Sequence, residues 1–278
     1  MNSGKDNFQR LCRSLIPLGM LIFFLCRVLF LEPVPEVHAG EDVQSVLCSS
    51  PCSEPLFKLT PKQLSISLWA REVVAEKVGD KVPRQDTRNL DALYGEAVVA
   101  DKDLKRMTRI IAESTGGTPV FPPGGGLKGR KRAREKIEVE LGGDASALRD
   151  IARSSIEYDD VDQVYLALEF ILHQRYEVVR VKDRALEPLP SGFWDIHLNL
   201  CMPNGHVTEL QLHLREIRQY SIRKGHDLYE QIRGMEARAV RENRQLTLEE
   251  QAAIDRLNCE QRRVYRVAFQ RGQKEKNR

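Results

Sequence analysis

Between Trp194 and Leu214 apolar and polar side chains alternate almost without fault. A period of two admits a strand with one buried and one open face. Trp194, Ile196, Leu198 and Leu200 fall on one side, and Asp195, His197 and Asn199 on the other. Beyond Pro203-Asn204-Gly205, Leu210, Leu212 and Leu214 alternate with Glu209, Gln211 and His213. The two runs, 194–201 and 206–214, read as a hairpin. A two-residue Asn204-Gly205 turn would pair 200 with 209 and place Glu209 among the leucines. A three-residue loop from Pro203 to a left-handed Gly205 pairs 199 with 209 and 197 with 211, which keeps both faces consistent. It gathers Asp195, His197, Asn199, Glu209, Gln211 and His213 on one polar surface.

Upstream, short apolar runs at 147–158 and 177–182 read as further strands. Between them lies an amphipathic helix over 161–174, with Val164, Leu166, Leu168, Ile171 and Leu172 crowded on one side. Thr60-Pro61-Lys62-Gln63 is a capping box with proline at the first helical position, opening a helix towards Val78. Helices are also expected over 101–114, 128–138, 214–238 and 247–271, the last behind a second capping box at Thr247. Residues 118–126 read as a Pro/Gly loop. Strands interleaved with helices predict an α/β (α+β) fold, a mixed β-sheet flanked by helices.

The chain has 278 residues, 41 % hydrophobic and 30 % charged, with a net charge of only +3. That balance supports a sizeable core and argues against a general nucleic-acid binder. Lys5, Arg10 and Arg13 precede an apolar run from Leu15 to Cys26, with small residues near Ala39, the layout of an export signal. Arg27 interrupts the run, so its length is marginal for spanning ~30 Å of hydrocarbon. Residues 1–39 are read as a signal peptide or membrane anchor and 40–57 as a linker. The N-terminal helices occupy 58–117, the core 118–236, and a C-terminal helix with a basic tail 237–278. An exported or membrane-anchored location follows from the positive-inside bias. Cys48 and Cys52 are spaced for a small disulfide loop in an oxidising compartment, or are unpaired thiols of the linker.

Arg180-Val-Lys182-Asp183, then Pro188-Leu-Pro190-Ser-Gly192-Phe193, His197 and Glu209-Leu-Gln211 follow one another within about thirty residues. Their order and spacing resemble the synthetase motif of the RelA/SpoT family, the alarmone (guanosine tetra- and pentaphosphate) synthetases: R-x-K-D-Y, P-x-P-x-G-Y-x-S-x-H and E-V-Q-I-R. The resemblance covers about residues 120 to 235 and implies the nucleotidyltransferase-like fold of that family. It implies a nucleotide pyrophosphokinase, passing pyrophosphate from Mg²⁺-ATP to the 3′-hydroxyl of a guanine nucleotide (GTP or GDP). Such transfer requires cations for the phosphates, carboxylates for Mg²⁺ and a positioned hydroxyl. Asp150 and Glu209 are the implied catalytic and metal-binding carboxylates. Lys128, Arg132 and Lys136, four residues apart, read as one basic stripe along a helix, and Lys128 and Lys136 match lysines of the family's ATP segment. Arg180 and Lys182, alternate residues of a strand, face phosphate together, with Asp183 orienting them or only ending the strand. Phe193 stands where the family stacks a Tyr on the acceptor base. His197 matches the motif His, with Gln211 opposite as a hydrogen-bond partner, and His226 and Tyr229 match positions beyond the Glu strand.

Departures from the pattern are equally plain. Gly126, Ser155 and His213 stand where the family has Arg, Arg153 or Arg134 being available to restore charge. The alternative is therefore a non-catalytic nucleotide-binding module, or a secreted toxin or effector acting on another purine nucleotide or on tRNA.

Overall fold

The computed structural model describes residues 56–79 and 81–274. Residues 1–39, read as a signal peptide or membrane anchor, and the Cys48/Cys52 pair lie outside them. In chain order the elements are α1 (Pro61–Val78), α2 (Leu90–Thr115), β1 (Thr118–Val120), α3 (Arg130–Glu140), β2 (Arg153–Tyr158), α4 (Val161–His173), β3 (Val178–Asp183), β4 (Ile196–Cys201), β5 (Val207–Leu214), α5 (Arg215–Tyr220), α6 (His226–Arg241) and α7 (Leu248–Lys274). A π-helical turn, Ser221–Gly225, joins α5 to α6. The five strands form one mixed sheet in the order β1-β2-β5-β4-β3. The pair β2/β5 is parallel and the remaining pairs are antiparallel.

The hairpin has the expected register, His197 opposite Gln211 and Asn199 opposite Glu209. Gly205 closes its loop at φ 82°, a left-handed conformation that glycine adopts without steric cost. Ile196, Leu198, Leu200, Leu210, Leu212 and Leu214 are all buried. Helix α1 packs on β3, α2 on β2 and β5, and α4 on β5, so the helical layer covers the leucine face. At Thr60 the capping box forms as read: its hydroxyl accepts from the Gln63 amide, and the Gln63 side chain accepts from the Thr60 amide.

Four local expectations are corrected. Helix α2 starts at Leu90, not at Asp101, because the Asn89 side chain caps it by accepting from the amides of Asp91 and Ala92. Its buried stripe runs through Leu93, Tyr94, Ala97, Ala100 and Leu104, while exposed Val98 and Val99 blur the period in sequence. Thr118–Val120, read as loop, is an edge strand, a place that tolerates Pro119. Gly117 lets the chain enter it, since a Cβ there would lie 2.4 Å from Ile156. Helix α3 begins at Arg130, leaving Lys128 outside it. Strand β2 begins at Arg153, so Asp150 precedes the strand. The carbonyls of Leu148 and Ile151 accept from the Gln85 side chain and the Lys128 amide instead of a neighbouring strand.

Asp183 neither orients Arg180 and Lys182 nor merely ends β3. Its buried carboxylate accepts from Ser67 Oγ (2.7 Å), Tyr165 Oη (2.6 Å), Trp194 Nε1 (3.2 Å) and the Ala185 amide (2.8 Å). One carboxylate thus joins α1, α4, β3 and the entry to β4. Asp183→Ala strands three buried donors, each worth about 1–3 kcal/mol when unsatisfied. We expect a loss of about 3 kcal/mol or more in urea-induced unfolding. A variant as stable as the wild type would show these hydrogen bonds to be dispensable.

Candidate active site

The polar face of the sheet opposes the helical layer. Two rows cross it: Arg153, Glu209, Asn199 and Arg180, then Ser155, Gln211, His197 and Lys182. Over this face opens a cavity of about 640 Å³. Lys128, Lys136, Asp150, Arg153, His197, Glu209 and Gln211 form part of its lining, with the 189–193 turn, α6 and α7 completing the walls.

Asp150 is the electrostatic centre. Lys128 Nζ and Lys136 Nζ both donate to its Oδ2, at 2.7 and 2.8 Å. Burial alone would raise its pKa, but Lys136 and Lys128 hold the carboxyl down at about 2, so it is ionised at neutral pH. Oδ1 of the same carboxylate is buried and has no hydrogen-bond partner. The Tyr94 hydroxyl donates to the Lys128 carbonyl at 2.6 Å and fixes that segment. The expected basic stripe is therefore only partly assembled. The two lysines converge on Asp150, whereas Arg132 turns to Glu230 at 2.9 Å and Glu135 at 3.3 Å.

Glu209 is buried beside them. Its Oε2 lies 2.8 Å from His197 Nε2, and its Oε1 accepts from the Gln211 amide. The partner of His197 is thus Glu209, not Gln211, whose Oε1 lies 3.0 Å from His213 Nε2. Burial alone would lower the His197 pKa, but the Glu209 and Asp195 carboxylates outweigh it and the value is raised. His213, deeply buried and facing Arg218 and His197, is lowered to about 3 and is neutral. It supplies no replacement for the arginine charge. Arg153 does place a cation at this face, opposite Glu209.

Phe193 is half-buried on the cavity wall, so it is neither wholly core nor free. It meets His213 and Tyr265 edge-on, with ring centroids 5.9 and 5.5 Å apart. Its turn is fixed by Arg262 of α7, which donates to the Pro190 carbonyl at 2.7 and 3.2 Å. Gly192, at φ 72°, is required there because a Cβ would come within 3.1 Å of the Arg262 backbone. Arg180 and Lys182 are set apart from the cavity lining, on β3 at the far end of both rows. Burial lowers the pKa of both, and Arg180 and Arg184 lower Lys182 further.

His226 and Tyr229 of α6 line the cavity, together with residues that sequence reasoning missed: Glu140, Glu230, Arg233, Gln261 and Tyr265. Arg233 pairs with Glu140 at 2.8 Å, so with Arg132–Glu230 two oppositely oriented ion pairs link α3 to α6. On those helices a charged residue reads as ordinary solvated surface. For α7 a usable signal existed: Ile254, Gln261, Tyr265, Ala268 and Phe269 are buried at helical spacing, and Gln261 is the polar member of that stripe.

No protein-family model and no curated protein matches the chain. Among solved structures, the Type VI effector Tas1, determined in complex with its immunity protein, is similar with a TM-score of 0.50 and 19 % identity, over 68 % of this chain and 98 % of that one. A GTP pyrophosphokinase family protein from Streptococcus pneumoniae has a TM-score of 0.48 and 15 % identity, over 66 % and 89 %. Small alarmone synthetase 2 from Bacillus subtilis has a TM-score of 0.47 and 18 % identity, over 66 % and 92 %. The likeness is one of fold: a mixed sheet flanked by helices of the RelA/SpoT synthetase kind.

The His197–Glu209 pair has a defined pH signature. A histidine whose folded pKa is raised contributes stability that is complete below its unfolded value of about 6.5 and is lost as pH rises through the folded value. The melting-temperature gap between wild type and His197→Gln should therefore be widest near pH 5.5 and narrow by pH 8.5. A gap independent of pH would show that the pair is not ionic.

Proposed function

We propose that this chain is a RelA/SpoT-like nucleotide pyrophosphokinase, transferring the β,γ-pyrophosphate of ATP to the 3′-hydroxyl of a guanine nucleotide. The observation that carries this reading is the convergence of Lys128, Lys136 and Asp150 with Glu209 in one cavity. In the transfer, the acceptor 3′-oxygen bonds to the β-phosphorus, the bond from that phosphorus to the α,β-bridging oxygen breaks, and AMP leaves. The hydroxyl proton passes to Glu209, for which His197 is a positioning residue. Lys128, Lys136 and Arg153 face the phosphates from the cavity wall, and Phe193 offers an aromatic surface for the acceptor base. Arg180 and Lys182, outside the cavity lining, add positive charge to the same face of the sheet from β3.

The donor set fits Mg²⁺. That ion takes one or two carboxylates and completes its shell with phosphate oxygens and water. Asp150 has a buried oxygen with no partner, and Glu209 has a second hard oxygen ligand in the same cavity. Among the described residues there is no group of three or more acidic, His or Cys side chains able to hold a metal. Bound there, Mg²⁺ would neutralise charge on the transferring group.

A second reading, an exported effector acting on purine nucleotides or tRNA, is favoured by the fold shared with the effector Tas1. The basic-then-apolar segment from Lys5 to Leu31 supports it. Export through that segment is part of this proposal.

Glu209→Gln should lower AMP formation from ATP and GTP by at least about a hundredfold without changing the far-ultraviolet circular dichroism. Turnover at the wild-type rate would sink the catalytic assignment. A wild type that saturates with nucleotide yet forms no AMP would favour the binding module.

Phe193→Ala should weaken acceptor binding more than donor binding, by about 1–3 kcal/mol. Equal losses for both nucleotides, together with a lowered melting temperature, would mark the ring as core.

A further inference from the structure

We infer that Gln261 of α7 determines base specificity, its Nε2 amine donating a hydrogen bond to the N7/O6 edge of a purine held against Phe193. The inference rests on the proposed function and adds to it a base-reading contact from the C-terminal helix.

Gln261 is 2 % exposed and lines the cavity, and among the described residues its buried Nε2 has no hydrogen-bond partner. More than nine in ten buried polar groups are satisfied, so a buried donor left open at a cavity wall needs an explanation. A ligand atom is one. The surroundings favour it. Tyr265, one helical turn along the same face of α7, lies 5.5 Å from Phe193 and settles the plane of that ring. Arg262, the next residue, clamps the turn that carries Phe193. The amide and the aromatic platform are therefore held in one frame. Gly225 lets the Tyr265 hydroxyl pack closely beside Gln261: a Cβ there would stand 2.3 Å from that hydroxyl and 3.7 Å from Gln261 Oε1.

The choice of edge follows from the chemistry at Glu209. A 3′-hydroxyl placed at that carboxylate turns the sugar side of the base towards the sheet. Away from the sugar, the acceptor atoms of guanine are N7 and O6, and an amide N–H can donate to either. A donor that is simply left unsatisfied, with no ligand to meet it, is the competing explanation. It predicts the opposite behaviour when the amide is removed, because an apolar isostere then relieves an unsatisfied donor at no cost to binding.

The test uses the full chain, with calorimetric binding of GTP, 7-deaza-GTP, 2-aminopurine riboside triphosphate (which lacks O6) and UTP. In the wild type, one of the two purine analogues should bind about five- to tenfold more weakly than GTP. Gln261→Leu should bind GTP as weakly as that analogue, cease to distinguish the two, and melt no lower than wild type. Gln261→Glu, which replaces a donor by a carboxylate, should lose more. Unchanged GTP affinity with a raised melting temperature would overturn the inference in favour of a donor merely left unsatisfied. An equal loss for GTP, both analogues and UTP would overturn it as general damage to the cavity, as would a loss with neither analogue distinguished. A wild type that binds GTP selectively yet forms no AMP would sink pyrophosphate transfer while the base contact stands. A wild type that binds no purine nucleotide overturns both.

Discussion

Everything in the site depends on the register of the β4–β5 hairpin. A slip of one residue would carry His197, Glu209 and Gln211 into the leucine layer and expose Leu198, Leu210 and Leu212 in their place. Burying the Glu209 carboxylate among leucines without a partner would be prohibitive, so the apolar face enforces the polar one. Two features pin the register: the left-handed Gly205 at the turn, and the parallel pairing of β5 with β2, which sets Arg153 opposite Glu209. The polar face is thus a by-product of core packing. The same leucines that hold α2 and α4 on one side place the carboxylate on the other.

The second constraint is electrostatic. Lys128 and Lys136 carry concentrated positive charge into the cavity wall, where Lys128 is buried. Asp150 solves this in the free protein by accepting from both lysines through a single oxygen, leaving the other oxygen open. A nucleotide with its cation would exchange partners within this cluster: phosphate for the lysines, metal for the carboxylate. Each charge then has a partner before and after binding, and the lysines need not be desolvated anew. Arg132 also lines the cavity, and its pair with Glu230 makes it a link between α3 and α6.

Legibility in the sequence tracks the period of the pattern. The hairpin, α4 and both capping boxes could be read because their signals are local and strictly spaced. Asp150 and Lys128 were read as site residues through the motif, yet both were put on the wrong element. The carbonyls that would have extended β2 are taken by Gln85 and Lys128, partners too distant in sequence to foresee. Asp183 sits in a motif rich in charge and looked like an ion-pair partner. Its buried bonds to Ser67 and Tyr165 depend on α1 and α4 docking, which no spacing announces. The polar cluster at the hairpin also needed refining: Asp195 lies before β4, and burial holds its carboxyl up at about 6 with Arg184 3.8 Å away.

Helix α7 shows why an element beyond the motif still belongs to the site. Its inner face buries Tyr265, Ala268 and Phe269, and the Phe269 ring stands edge-on to Trp194 with centroids 4.9 Å apart. Trp194 immediately follows Phe193, so the residue on the cavity wall and its neighbour in the core are braced by one helix. Arg262 ties that helix to Pro190, and Gly192 lets the two backbones approach. An aromatic platform on a bare loop would lose much of its stacking energy to the entropy of ordering it. Braced from both sides, the Phe193 turn is ordered before any base arrives. That preorganisation comes from a segment beyond the motif, whose buried stripe of Ile254, Gln261, Tyr265, Ala268 and Phe269 is spaced as one helix face.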